Sequence, residues 1–313
     1  MRCFRTTDRV EVTICETMND RREDVARRYD VQAFPTVEAA IDSSSFDAAV
    51  IASPAPFHIP LAQQLADQGM DLLIEKPLSL SMDGVEELAS TVNNNGLKAA
   101  VGFNFRSLPT LLEMQQTIAD GSFGRPVQIN VRAGQHFPFY RPAYRDIYYA
   151  RRKMGGGAIQ DLVPHQMNAA EWMIGPATRV VADCEHCVLE GVDVEDTVHI
   201  LTRHGGVMGA LSLNQHQPPN EFVITVMCER GAARWELAKQ RWLSATENGG
   251  DWKTERTDNF QRDDFYILQA NRFLDYLENK GPVPCSLEDG MQTLKSILSV
   301  QESIRTGQWV DVK

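Results

Sequence analysis

No glycine precedes Gly69 in this 313-residue chain. A parallel sheet that holds a dinucleotide opens with strand, glycine-rich turn and helix, because the turn lets backbone N–H groups approach the pyrophosphate. No Gly-x-Gly-x-x-Gly stands ahead of the first strand here. Positive charge is also in short supply: 31 basic against 42 acidic side chains give a net charge of −11. Such a surface repels phosphate backbones, which excludes nucleic acid as a default partner. Apolar runs are short, Ala48-Ala49-Val50-Ile51-Ala52 being typical, and none approaches the ~20 residues that span a bilayer. No membrane partner is expected. Arg2, Arg5 and Arg9 are followed by no apolar stretch, so they do not read as a secretory signal. Six scattered cysteines are too few for a disulfide scaffold and point to a reducing cytoplasm. Cys184-Glu185-His186-Cys187 has the flavour of a metal site, yet it has no second pair at zinc spacing, and strand alternation splits its ligands between faces. No metal is expected.

What remains is an ordinary globular mix, 43% hydrophobic and 23% charged. The length favours two domains, divided here into residues 1–105 and 106–313. In the first, Val10–Cys15, Asp47–Ala52, Asp71–Ile74 and Leu97–Gly102 read as strands. The run at 47–52 is apolar throughout, which suits a strand buried on both faces. Helical periodicity fills the intervals: 20–29, then from Pro60 with Leu61 and Leu65 inward, then from Met82 with Val85, Leu88, Ala89 and Val92. Alternation at this spacing predicts an α/β doubly wound parallel sheet, Rossmann-like and incomplete at its start. From Val127 onward the rhythm changes to strands separated by short turns, including 197–202, 207–213 and 222–228. An α+β domain with a large, open, mostly antiparallel sheet is expected. Two helices close the chain. One carries Ile267, Ala270, Leu274 and Leu277; the other follows Ser286, with Asp289 completing a capping box, and carries Leu287, Met291, Leu294 and Leu298.

The absent glycine turn sets the register. Residues 2–9 read as the tail of a helix and Val10–Cys15 as the second strand of the usual 3-2-1-4-5-6 order. Glu16 then stands where an acid holds the adenosine ribose hydroxyls, which favours NAD over NADP; a solvated acid after a strand is the plainer reading. Leaving out a central first strand exposes two flanking strands, at roughly 1–3 kcal/mol per buried unsatisfied group. Met1 is therefore expected to be an internal methionine of a longer reading frame. A truncated relative, or another segment or subunit filling the gap, would also account for the pattern.

Several polar groups stand just past strand ends, where ligands bind in open α/β sheets. These are Ser53-Pro54-Ala55-Pro56-Phe57-His58, Glu75-Lys76-Pro77 and Gly102-Phe103-Asn104. The second domain adds Gly155-Gly156-Gly157 leading to Asp161 and His165. Lys76 supplies a cation at the mouth of the sheet, His165 handles a proton near neutrality, and Asp161 falls four residues before it, on the same face if one helix carries both. Pro164 between them opposes a regular helix unless it sits in a first turn. The triple glycine reads as close packing at a helix start, or less simply as a phosphate loop. Tyr140-Arg141-Pro142-Ala143-Tyr144-Arg145 places two guanidiniums between the domains, matching either a substrate carboxylate or an interdomain salt bridge. Asn214-Gln215-His216-Gln217 reads as a polar strand end or a substrate contact.

With Glu-Lys-Pro after a buried strand and a triple glycine leading to Asp-x-x-x-His, the chain resembles the Gfo/Idh/MocA family of glucose–fructose oxidoreductases, inositol dehydrogenases and rhizopine-catabolism proteins. The resemblance implies an NAD(P)-dependent oxidoreductase acting on a sugar or cyclitol, forming a dimer or tetramer through its open C-terminal sheet. It places Lys76, Asp161 and His165 on the catalytic positions. Glu75 would brace Lys76 or meet the cofactor ribose, Ser53, Pro54 and His58 would line the cofactor cleft, and Asn104 would lie near nicotinamide and substrate. Lys76, Asn104, Arg141, Arg145, Asp161 and His165 form the expected substrate set. Val163 and Asn168 depart from the family pattern, and loss of an acid at 168 implies different hydroxyl recognition. A catalytically silent relative that binds carbohydrate or a partner subunit is the alternative.

Overall fold

Short apolar strands alternate with amphipathic helices through the first third of the chain in the computed structural model, which describes residues 1–313. Helix α1 (Arg2–Arg5) leads to β1 (Ile14–Cys15), α2 (Asn19–Tyr29), β2 (Ala33–Phe34) and α3 (Val37–Ser43). Then come β3 (Ala48–Ile51), α4 (His58–Asp67), β4 (Asp71–Ile74), α5 (Val85–Asn94) and β5 (Ala99–Val101). All pairings are parallel, in two pieces: β1 with β2, and β3-β4-β5. The pieces lie on either side of the place that a first strand takes in a 3-2-1-4-5-6 order. Strand β1 is two residues long rather than the six from Val10 to Cys15, because it has a ladder on one side only. Strand β3 is likewise an edge, so Val50 is 45% exposed and the run at 47–52 is not buried on both faces. Residues 2–5 are helical but 6–9 are not, so the helix is half the expected length; this start is tied to the C-terminal half by Arg2–Asp263, Arg9–Asp275 and Arg9–Glu278 ion pairs.

A 3-10 turn over Asn104–Ser107 and α6 (Pro109–Ala119) lead into the second domain. There follow β6 (Pro126–His136), α7 (Phe137–Tyr140), 3-10 turns at Tyr148–Ala150 and Arg152–Met154, α8 (Ala158–Asp161) and α9 (Val163–Ile174). Strands β7 (Arg179–Glu185), β8 (Thr197–His204), β9 (Val207–Asn214), β10 (His216–Cys228), β11 (Gly231–Glu236), β12 (Arg241–Ala245) and β13 (Lys253–Thr257) precede α10 (Arg262–Leu277), α11 (Leu287–Thr306) and β14 (Val310–Asp311). The sheet has nine strands in the order β13-β12-β11-β10-β6-β9-β8-β7-β14, antiparallel except for β6 beside β9. Strand β8 alternates in burial residue by residue, as a strand with one covered face must. Helices α6, α9 and α11 cover that face; Val127, Leu201 and Met208 stand exposed in the sheet.

Helix α11 spans both cores. Its capping box forms between Ser286 and Asp289. Leu287 and Leu294 complete the core of the parallel domain, and within the next two turns Ile297 and Val300 enter that of the large sheet. Arg106, 4% exposed, adds polar ties to the same helix and to α9. Its Nε donates to Asn168 Oδ1 (2.8 Å), its Nη1 donates to Asp289 Oδ2 (2.8 Å), and its guanidinium lies over the Trp172 ring.

The close approach of α11 to β5 is a steric constraint. A Cβ on Gly290 would stand 2.5 Å from Val101 Cγ2. An exposed helical glycine gains about 1 kcal/mol on replacement by alanine. Gly290→Ala is expected to lose about 1–3 kcal/mol instead, through overpacking. Urea denaturation distinguishes the two signs.

Candidate active site

Strand β4 ends at Ile74 and delivers Glu75 and Lys76 to the domain boundary. The Lys76 side chain is 17% exposed; its Nζ donates to the Asp161 carbonyl at 2.6 Å and to Asp161 Oδ1 at 3.3 Å. The Tyr148 hydroxyl donates to the same Oδ1 at 2.7 Å. Burial alone pushes the Asp161 carboxyl up, but the Lys76 ammonium, the Arg141 guanidinium and the hydrogen bonds from Tyr148 and Lys76 hold it below its ordinary value. It is an anion at neutral pH. Burial, and after it the Asp161 charge, pushes the Tyr148 phenol up, so that group stays a donor.

Asp161 and His165 do not share a helix. Helix α8 stops at Asp161, Leu162 turns the chain at φ −112°, and Pro164 falls in the first turn of α9. Proline thus resolves the four-residue spacing by breaking the helix between the two side chains. Close packing explains the triple glycine. A Cβ on Gly156 would stand 2.2 Å from the Tyr149 carbonyl oxygen, and one on Gly157, at φ +94°, would stand 2.4 Å from Glu195 Oε1. The buried Glu195 carboxylate accepts from Ile159 N at 3.0 Å and pairs with Arg152, which seats the start of α8.

His165 lies against Phe105 (ring centroids 4.8 Å apart) and Phe103 (5.9 Å), and its Nδ1 is buried without a partner. Burial and the Lys76 ammonium, opposed by the Asp161 carboxylate, push the imidazole down to about 3. Ser53 Oγ, Asn104 Oδ1, Tyr149 Oη and both amide atoms of Gln215 are also buried without partners. Native interiors rarely leave polar atoms unpaired, and a bound ligand is one way of pairing them.

The other expected site residues distribute as follows. His58, 1% exposed, does not present its ring to a cleft. Nδ1 lies 2.9 Å from the Pro77 carbonyl oxygen and Nε2 2.8 Å from that of Ser53, so the imidazole clasps the turn after β3 to the turn carrying Lys76. Pro54 precedes the 3-10 turn at Ala55–Phe57. Glu75 closes onto Gly102, where a Cβ would stand 3.0 Å from Glu75 Oε2, and burial pushes its carboxyl up against the Lys76 charge. Glu16 stands past the end of β1, its Oε1 accepting from Met18 N at 2.9 Å. Arg141 lies near Tyr148 and Asp161. Arg145 does not join them: its Nε donates to the Glu190 carbonyl at 2.8 Å. Asn168 sits in the buried Arg106 network, donating to Thr293 Oγ1 at 3.0 Å, so its identity bears on packing rather than on hydroxyl recognition. His186 turns its Nε2 to the Leu189 carbonyl, 2.6 Å away. Sequence reasoning passed over Tyr148, which lies three residues beyond the Tyr140–Arg145 stretch, because no spacing distinguishes that tyrosine from its neighbours.

Glu75 and the unpaired Ser53 Oγ and Asn104 Oδ1 follow the carboxyl ends of β4, β3 and β5. They fit the nicotinamide half of a dinucleotide, and Glu16 fits the adenosine ribose. A pyrophosphate would lie between β1 and β3, and these 313 residues supply no glycine-rich turn there. For the free protein, the Cε1–H resonance of His165, assigned by its loss in His165→Asn, is expected to keep its neutral position from about pH 8 to about pH 5. A midpoint near 6.5 would contradict the burial described above.

A family model described as the oxidoreductase family with an NAD-binding Rossmann fold matches residues 4–103, and one for the GFO/IDH/MocA C-terminal domain matches residues 111–234. The chain is 22% identical over 296 residues to myo-inositol 2-dehydrogenase of Thermotoga maritima, covering 92% of this chain and 86% of that one. It is 23% identical over 331 residues to D-apiose dehydrogenase of Paraburkholderia graminis, covering 100% and 86%. Among solved structures, levoglucosan dehydrogenase in complex with NADH and levoglucosan has the same fold, with a TM-score of 0.86 at 20% identity over 97% of this chain and 90% of that one. With both domain models matched in order, the chain belongs to the GFO/IDH/MocA oxidoreductase family.

Proposed function

We infer that this protein is an NAD-dependent dehydrogenase that oxidises a secondary hydroxyl of a sugar or cyclitol, or reduces the matching ketone. The observation that carries this reading is Lys76 Nζ, just past the end of β4, held on Asp161, with both charges acting on His165, whose Nδ1 is unpartnered. Nicotinamide supplies the hydride acceptor when bound. The chain's own residues do the rest. Lys76 donates to the substrate oxygen and stabilises the developing alkoxide. His165, a neutral imidazole, accepts the hydroxyl proton at Nδ1. Asp161, ionised, anchors Lys76, and Tyr148 steadies Asp161. A silent carbohydrate-binding relative would need none of these groups brought together.

Glu16 supports NAD over NADP, since its carboxylate can accept from a ribose 2′-hydroxyl and repels a 2′-phosphate. The uncovered sheet face around Leu201 and Met208 supports self-association into a dimer or tetramer. The six unpaired cysteines suit a reducing cytoplasm, and no helix is long and apolar enough to cross a membrane.

Tryptophan fluorescence on titration with NADH is expected to saturate in the micromolar range, about −8 kcal/mol, with NADPH at least tenfold weaker and the gap narrowed in Glu16→Ala. His165→Ala is expected to lose about 10²–10⁴-fold in kcat while still binding NADH. A protein that binds NADH and reduces NAD with no sugar or cyclitol, or one that keeps full kcat in His165→Ala, would overturn this mechanism.

A further inference from the structure

Arg141 leaves the site with one uncompensated charge. Of the arginines that follow it, Arg145 donates to the Glu190 carbonyl and approaches its carboxylate at 3.8 Å, Arg152 pairs with Glu195, and Arg151, also without an ion pair, is not among the charges that act on His165. Arg141 forms no ion pair. Its backbone N–H donates to the Phe137 carbonyl at 2.7 Å, and its guanidinium lies 5.7 Å from the Phe137 ring centre. That ring packs on Tyr149 with centroids 4.3 Å apart, and the adjoining Tyr148 hydrogen-bonds Asp161. The segment is thereby pinned to the site, and the Arg141 charge acts on Tyr148, Asp161 and His165 together.

The local charges can be summed. Lys76 and Asp161 cancel, and His165 is neutral. Arg141 adds a guanidinium that forms no ion pair, in a chain whose net charge is −11. A planar guanidinium free of a protein carboxylate matches an incoming one in bidentate geometry.

On the dehydrogenase reading above, we propose that the substrate is a sugar acid, aldonic or uronic, whose carboxylate is held by Arg141 while a secondary hydroxyl stands between Lys76 and His165. The hydride leaves the carbinol carbon for nicotinamide, the hydroxyl proton goes to His165, and a ketone forms; the carboxylate is unchanged throughout. Its contact is therefore equally strong in ground and transition states and lowers KM rather than raising kcat. A sugar phosphate carries about −1.5 to −2 charges at neutral pH. It would exceed what one guanidinium balances.

The test compares NAD reduction on matched substrates: glucose, gluconate, glucuronate and glucose 6-phosphate, then the corresponding galactose set. The wild-type protein is expected to prefer an acid over its neutral sugar by about 100-fold in kcat/KM, on the order of two powers of ten at 1.4 kcal/mol each. Arg141→Gln is expected to abolish that preference chiefly through KM, and Arg141→Lys to restore part of it. A neutral sugar used as well as its acid, a phosphate used best, or a preference that survives Arg141→Gln would each overturn the proposal. If none of these substrates turns over, calorimetric binding of gluconate and glucuronate to the NADH-saturated protein decides. Binding weakened at least tenfold by Arg141→Gln supports the carboxylate site, and equal or absent binding in the two proteins refutes it. NADH binding without turnover of any sugar is the separate failure of the dehydrogenase reading.

Discussion

The contact between Lys76 and Asp161 organises this molecule. One partner comes from the end of a parallel strand, the other from the end of a one-turn helix in the second domain, and both are largely buried. Desolvating two charges is expensive unless each is well paired, so the position of either is dictated by the other. Lys76 spends hydrogen bonds on the Asp161 backbone as well as its side chain, and Tyr148 claims the same carboxylate oxygen. The His58 clasp behind Lys76 and the Glu195 carboxylate behind α8 restrain the elements on each side. A site of this kind is preorganised: its dipoles are in place before a substrate arrives, which is where electrostatic catalysis gains most.

That contact requires the two domains to meet in one register. Helix α11 supplies it by contributing to both cores, and Arg106 supports it from the connecting turn. Asn168 and Glu171 belong to this scaffold. Glu171 is a buried carboxyl raised by its burial and satisfied by Thr293, Ser296 and Gln292 of α11 and the Ala177 N–H. Polar groups on α9 thus face two ways, His165 toward the ligand space and Asn168 with Glu171 toward α11. The parallel domain is by contrast in two pieces. Strands β1 and β3 each have an open edge, and their short lengths and partial exposure follow from the missing ladder.

The extent to which the sequence foretold this varies with the physics involved. Periodicity located β4 to the residue, because burial in a sheet is a local pattern, and α2, which buries no residue, to within one. It overstated β1 and the burial of β3, since a ladder needs a second strand and an apolar run does not say whether one is there. The helix break at Leu162 was foreshadowed by Pro164, yet only coordinates show that Asp161 and His165 still reach one site from two helices. His58 was expected in the cofactor cleft from the family resemblance; its two carbonyl partners, on Ser53 and Pro77, lie 24 residues apart in the chain, which no local pattern reports.

By itself the sequence determined the class of fold and the side-chain types that meet at the domain boundary. The types at 76, 161 and 165, the acid at 16 and the alternation of strand and helix are all properties of residues and their near neighbours. Tertiary structure alone decided which charges are neutralised. Arg141, Arg145, Arg151 and Arg152 are equivalent on paper, but contacts reaching some 45 residues along the chain, to Glu190 and Glu195, engage Arg145 and Arg152, while Arg141 acts on Asp161 and His165 without an ion pair of its own. Charge compensation depends on through-space distance, and chain order does not carry that information until the domains close on each other.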